Sequence, residues 1–107
     1  MSRPLKIQIV ERARALIADE AHWCRRHFGE DANGFPVSPT SASAIKWCGL
    51  GAVIAAAYEL THSPDAAYQI GYQALRPQYG SATLIHVNDS RGHAAVLALF
   101  DEVIAAG

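Results

Sequence analysis

The side chains with the most chemistry to offer in this sequence are Cys48, His86 and Asp89. A thiol near the first turn of a helix feels the positive end of the helix dipole, which lowers its pKa and favours the thiolate. A thiolate nucleophile needs a base, which His86 supplies, and a group to orient that base, which Asn88 or Asp89 supplies. The same residues suggest a second chemistry. His86, Asp89 and His93, with His62 near a helix end, carry the nitrogen and oxygen donors that zinc or iron accepts. The spacing His86-x-x-Asp89-x-x-x-His93 matches no specific ligand signature, and it puts an expected helix start between Asp89 and His93. Asp89 has a simpler duty as a helix cap and Asn88 as a turn residue.

Each reading has a plainer rival. Cys48 falls several residues inside an expected helix, between Trp47 and Leu50, and free cysteine is among the most buried side chains. Core filler is the expected duty of this thiol. In His22-x-Cys24-x-x-His27 the first two residues are two apart, so on a helix they face away from each other. Gly49-Leu50-Gly51 lacks the preceding strand and third glycine of a dinucleotide-binding loop. No cofactor is expected.

The elements that would position these residues are helical. Ser2 and Pro4 read as a helix start, and Ile9, Val10, Ala13, Leu16, Ile17, Ala21, Cys24 and Phe28 recur at steps of three and four. Lys6, Glu11, Arg14, Asp19, His22 and Arg25 fall largely opposite, as on an amphipathic helix laid against a core. Residues 29–41 read as a loop. Asp31-Ala32-Asn33-Gly34 favours a turn, and Pro36 and Pro39 limit any hairpin there to a short one at an edge. A central helix is expected from about Ala44 to Leu60, capped by Thr40, Ser41 or Ser43 and apolar on nearly every side. Gly49 and Gly51 each cost such a helix about 1 kcal/mol, so a neighbouring helix is expected to pass close by. Ser63-Pro64-Asp65 signals a third helix, which Pro77 ends.

From Ser81 to Val87, Thr83, Ile85 and Val87 alternate as in a strand, but no other convincing strand offers a partner. One helical turn is the preferred reading. Asn88-Asp89-Ser90 then caps a last helix over about Arg91 to Ala106, with Val96, Leu99, Phe100 and Val103 as its buried stripe and Leu97 and Ile104 widening it. The expected architecture is all-α, about four helices in a bundle around the central one, forming a single domain over residues 1–107.

Composition narrows the classes. The 107 residues are half apolar and 18% charged, with a formal net charge of -1. That is an ordinary globular balance, and it offers too little positive charge to displace many phosphate counterions. A helix-turn-helix reading would leave only Gln69, Gln73 and Arg76 to read bases, so nucleic acid is not an expected partner. No apolar run is long enough for a membrane span and no h-region follows the first residues, so the expectation is a cytoplasmic protein with Cys24 and Cys48 reduced.

Trp47-Cys48-Gly49-Leu50-Gly51-Ala52, with Asp31-Ala32-Asn33-Gly34 before it and Asn88-Asp89 and Val96-Leu97-Ala98-Leu99 after it, resembles an uncharacterised family of small bacterial and phage-associated helical proteins. Trp23 and Ala15-Leu16-Ile17-Ala18-Asp19 are similar to it too. The chain departs from that pattern at Val87, where a tryptophan is expected, and at Ala95, where a glutamate is expected. The resemblance implies a domain of unknown function and brings no catalytic residue with it.

Tyr58, Tyr68, Tyr72 and Tyr79, with Trp23 and Trp47, are many amphipathic rings for so small a chain. Such rings roof a small core, and they also populate interfaces. Together with the apolar central helix they point to a non-enzymatic interaction module that self-associates. A thiol hydrolase built on Cys48, His86 and Asp89 is the alternative, and metal binding by His86, Asp89 and His93 is the second.

Overall fold

A computed structural model describes residues 4–107, so the cap expected at Ser2 lies outside the described residues. The chain is mostly helical, with five α-helices and a two-stranded sheet among those residues. The helices are α1 (Leu5–Leu16), α2 (Gly49–Thr61), α3 (Pro64–Gln73), α4 (Ser81–Ser90) and α5 (His93–Ala106); the strands are β1 (Gly29–Glu30) and β2 (Lys46–Trp47). The expected count of about four helices is thus one short, and the pure all-α description omits the small sheet.

Helix α1 buries Ile7, Ile9, Val10 and Ala13. It stops at Leu16, well before Phe28, although the apolar spacing continues. The reason lies in Asp19, whose carboxylate accepts from the backbone N–H of Ala21 at 2.9 Å and nucleates one 3₁₀ turn, Glu20–His22. A short acidic side chain competes for backbone donors in this way and interrupts a helix. Beyond it the Cys24 N–H donates to the Trp47 carbonyl at 3.1 Å, so Trp23 and Cys24 run alongside β2 in extended conformation.

The segment expected as a loop contains the turn read from the sequence. Asp31 Oδ1 accepts from the N–H groups of Asn33 (2.9 Å) and Phe35 (3.0 Å). A bridge of Glu30 with Pro36 closes a short hairpin. The fuller pairing is longer in range: β1 runs antiparallel to β2, with Gly29 opposite Trp47 and Glu30 opposite Lys46. Residues 46–47 are therefore strand rather than the start of the central helix.

Helix α2 is the centre of the fold, and every residue from Gly49 to Ala57 is buried. It begins at Gly49, not Ala44, which moves Cys48 from the helix interior to the N-cap. Neighbouring helices do pass close to Gly49, as expected, since an added Cβ would lie 2.9 Å from Val96 Cγ1 of α5 and 3.0 Å from Leu84 Cδ1 of α4, but Gly51 has a different neighbour. A Cβ on Gly51 would lie 1.8 Å from the carbonyl oxygen of Phe28, so the close approach is to the bent, non-helical chain just before β1 and not to a helix. Helix against helix, the tight contact is Gly71 of α3, whose added Cβ would lie 2.5 Å from Ile54 Cγ1.

Helix α3 starts as the sequence reads, with the Ser63 hydroxyl accepting from Ala66 N–H at 3.3 Å and proline in the first turn. Residues 81–90 form a ten-residue helix, where the sequence favours a single turn. Leu84 and Asn88, four apart, point to the core and outweigh the strand-like alternation of Thr83, Ile85 and Val87. Asn88, Asp89 and Ser90 accordingly belong to the last turn of α4 and do not cap α5. The break falls at Gly92, at φ 99°, a conformation that favours glycine. Both Arg91 N–H and Gly92 N–H donate to the Val87 carbonyl there. Helix α5 buries the expected stripe of Val96, Leu99, Phe100 and Val103, with Leu97 and Ile104 partly buried beside it.

Ion pairs tie α1 to its neighbours across the surface: Arg12 to Glu59 of α2 at 2.8 Å and Arg14 to Asp101 of α5 at 2.6 Å. Both are exposed, and pairs of that kind contribute from nothing to about 1 kcal/mol. Burial of the α2 surround dominates.

Candidate functional site

Asn88 is the one polar side chain fully buried among the described residues, and of the candidate residues Asp89 bonds to it and Cys48 lies next to Gly49, whose N–H bonds to Asn88. The inward face of α4 delivers it, one turn beyond Leu84. Its Oδ1 accepts from Trp23 Nε1–H at 2.7 Å and from the backbone N–H of Gly49 at 2.8 Å. Its Nδ2 donates to the Cys24 carbonyl at 3.1 Å and to Asp89 Oδ1 at 3.0 Å. An amide group has two lone pairs on oxygen and two N–H donors, and all four are used. Asn88 thereby joins the end of α4, the extended segment after the 3₁₀ turn and the N-terminus of α2. The Gly49 N–H is one of the donors that a helix start leaves without an intrahelical partner.

Two neighbours extend this network. Asp89 Oδ1 also accepts from the Arg26 N–H at 3.0 Å, holding Arg26 at φ 70°. The Trp23 ring lies 5.5 Å from the His93 ring, and the Arg25 guanidinium stands 5.1 Å from the same indole, within cation–π range.

Cys48 sits at the edge of this hub as the N-cap of α2, its sulfur accepting from Gly51 N–H at 3.3 Å. The dipole argument from the sequence predicts a lowered pKa, and the N–H of Gly51 does pull that way. Burial wins: it pushes the Cys48 thiol up to about 11, and the charge of Asp89 adds to the rise. The Cys24 thiol, which donates to the His27 carbonyl at 3.4 Å, is pushed up to about 12, by burial first and then by the charge of Glu30. Both are free thiols. At neutral pH each is an S–H group with its contacts inside the fold.

The other candidates are dispersed. His86 is exposed, and its Nδ1 lies 3.5 Å from Ser90 Oγ on the same helix. The His93 ring nitrogen Nε2 donates to the Ile17 carbonyl, clamping the start of α5 to the end of α1. His62 is exposed in left-handed conformation as the C-cap of α2. His22 reaches the Ile45 carbonyl at 3.0 Å, off any α-helix. Among the described residues no three His, Cys, Asp or Glu side chains are grouped to hold a metal ion. The structure therefore brings Asp89 into the electrostatic surroundings of Cys48. His86 stands apart on the surface, and His93 is turned to α1.

Asn88 does not stand out as a hub while residues 81–90 are read as a single turn. On a full helix it takes the inward position after Leu84, and a polar residue in an apolar stripe is the signal for a buried network.

The thiols make a testable statement about pH. A thiol raised from its ordinary value near 9 to about 11 or 12 favours the folded state fully below about pH 9. That contribution is lost as pH rises through the folded values. Urea unfolding at increasing alkalinity is expected to show stability falling above about pH 9, and iodoacetamide at about pH 8 is expected to label both thiols only once urea has opened the chain. Rapid labelling of Cys48 in the folded protein would contradict both the burial and the raised pKa.

No helix among the described residues is long and apolar enough to cross a membrane. No curated protein and no solved structure matches this chain. A family match spans residues 1–106, in keeping with the expected domain of unknown function, and the chain belongs to the family of unknown function DUF6197.

Proposed function

We propose that this protein is a non-enzymatic interaction module that pairs with a second copy of itself. The observation that carries the reading is the exposure of large apolar side chains: Phe35 at 64%, Leu5 at 54%, Leu60 at 50%, Tyr72 at 42% and Ile45 at 40%. Single exposed apolar residues are ordinary, but five among the described residues of so small a chain give it surface that gains from being covered. Leu5 also borders an open groove of about 420 Å³ between α1 and α3, floored by Ile9, Ile70 and Ala74.

The disposition of the reactive groups supports the same reading. Cys48 is a protonated cap, the Asn88 amide is saturated, Asp89 holds a backbone N–H and His93 holds a carbonyl. Each is spent on holding elements together. Of the six amphipathic rings, Trp23, Trp47, Tyr58, Tyr68 and Tyr79 roof the core, and Tyr72, exposed beside Tyr68, is the one left to add to the apolar surface.

Sedimentation velocity from micromolar to millimolar concentration tests the proposal. The expected result is a shift from the 11.5 kDa monomer toward twice that mass as concentration rises. A single monomeric species throughout overturns it.

A further inference from the structure

A groove of about 600 Å³ runs between α4 and α5, and its composition is specific enough to name the face on which pairing occurs. Its floor is apolar, formed by Val87 and Leu99 together with the small side chains of Ala95 and Ala98. Its two ends carry opposite charges, Arg91 at one and Glu102 at the other. Both end residues are exposed. Arg91 has no ion-pair partner among the described residues, and Glu102 accepts from the Tyr79 hydroxyl through Oε2, leaving its other carboxylate oxygen to solvent.

The order of these residues matters more than their type. Arg91, Ala95, Ala98 and Glu102 follow one another at steps of four, three and four. The last three share one face of α5, and Arg91, at the break just before that helix, lines the same groove. The steps also read the same in both directions. When a copy of this face is turned end for end and laid on the original, Ala95 meets Ala98 of the other copy and Arg91 meets its Glu102. A two-fold contact requires this self-complementarity, since each residue meets the counterpart of its own partner. Were the ends alike in charge, the same turn would bring like charges together and oppose pairing. Alanines at the centre let two helix backbones approach to about 8 Å, so the charged ends come within reach of each other.

We propose that two copies of the chain pair through this groove, α5 against α5 antiparallel, about a two-fold axis passing between Ala95 and Ala98. Arg91 of each copy then ion-pairs with Glu102 of the other. The proposal rests on the self-association reading above and adds the face, the direction and the charge pairing; its own support is the order of charges and alanines along the groove, since none of the five exposed apolar side chains named above lines it.

The test is a charge swap read by sedimentation equilibrium. Arg91→Glu alone sets the new carboxylate against Glu102 of the other copy, and Glu102→Arg alone sets the new guanidinium against Arg91. Each is expected to weaken homodimerisation by about tenfold or more, since two like-charge pairs replace two attractive ones. In an equimolar mixture of the two variants, unlike copies pair with opposite charges facing at both ends, so a mixed dimer is expected to form with affinity near that of the parent, and the double variant makes the same test within one chain. Arg91→Glu combined with Glu102→Arg reverses both ends within one chain, restores opposite charges at each end of its own homodimer, and is expected to dimerise with affinity near that of the parent. Tyr79→Phe removes the hydroxyl contact to Glu102 while keeping the charge, and is expected to dimerise as the parent does. Ala98→Arg, at an exposed position, is expected to abolish pairing without unfolding the chain, as judged by circular dichroism. Parent-like dimers of both single charge variants, or failure of the double variant to recover, overturn the proposed face and leave self-association through another surface standing. A parent that never dimerises overturns the face and the self-association reading together.

Discussion

Replacing Gly51 with alanine is expected to destabilise the fold by about 3 kcal/mol or more, and Gly51→Leu is expected not to fold. Most added methyl groups in a core are accommodated by a neighbouring side chain changing rotamer. Here the atom in the way is backbone: a Cβ at residue 51 would lie 1.8 Å from the Phe28 carbonyl oxygen, 2.7 Å from its carbonyl carbon and 3.1 Å from its Cα. Gly51 is also the donor whose N–H the Cys48 sulfur caps, so a shift of α2 at this point strains the cap too. Phe28 cannot retreat freely, because the next residue begins β1 and is paired with Trp47. Relief therefore needs α2 and the sheet to separate. Equilibrium urea unfolding of Gly51→Ala measures the cost directly. Parent-like stability would mean that the chain before β1 does not rest on α2. The comparison with Gly49→Ala is informative, because a Cβ at residue 49 would meet only side chains, Val96 Cγ1 at 2.9 Å and Leu84 Cδ1 at 3.0 Å. The loss there is expected to be smaller.

Asn88→Ala carries the second large effect, about 3–5 kcal/mol. The truncation removes four hydrogen bonds at once, and it strands the Gly49 N–H, the Cys24 carbonyl and the Trp23 indole N–H where little water reaches. An unsatisfied buried polar group costs about 1–3 kcal/mol, and the three do not add fully because the site relaxes as one. Asn88→Leu fills the volume but leaves the same groups unpaired, so it should rescue little. Asn88→Asp keeps the acceptor and loses both donors, and it sets a second carboxylate against Asp89. Asn88→Asp is expected to recover part of the loss at acid pH, where protonation returns a donor. Urea unfolding of the three variants is the measurement. An Asn88→Ala protein within about 1 kcal/mol of the parent would mean the hub contributes no more than one ordinary hydrogen bond.

The two sites share a lesson about the region where the sequence places its candidate catalysis. Cys48, Asn88 and Asp89 do come together, as the sequence groups them. What it lacks is the sign of the effect. Proximity to a helix N-terminus argues for a thiolate, whereas burial of that terminus argues for a thiol. Only the depth of α2 decides between them, and it decides for the thiol. His86, which a hydrolase would need beside the sulfur, sits exposed beside Ser90 on α4. With α4 a full helix, residues two apart face different ways: Asn88 turns in and His86 turns out.

Local chemistry was enough to specify several elements. The Ser63-Pro64-Asp65 start of α3, the Asp31–Gly34 turn, the buried stripe of α5 and the all-round apolarity of α2 each follow from a handful of adjacent residues. Caps, turns and helical periodicity act over one or two turns of chain, so a sequence displays them directly. Where α1 stops, where α2 begins and whether residues 81–90 make a helix are of another kind. The apolar spacing from Ala21 to Phe28 fits a helix equally well, but Trp23 and Cys24 find their partners in Trp47 and Asn88, far along the chain. Those contacts outweigh local preference because they satisfy buried backbone groups that no local arrangement could reach. The same holds for Gly51, whose need for a bare Cα comes from the Phe28 carbonyl across the fold rather than from any neighbour in sequence.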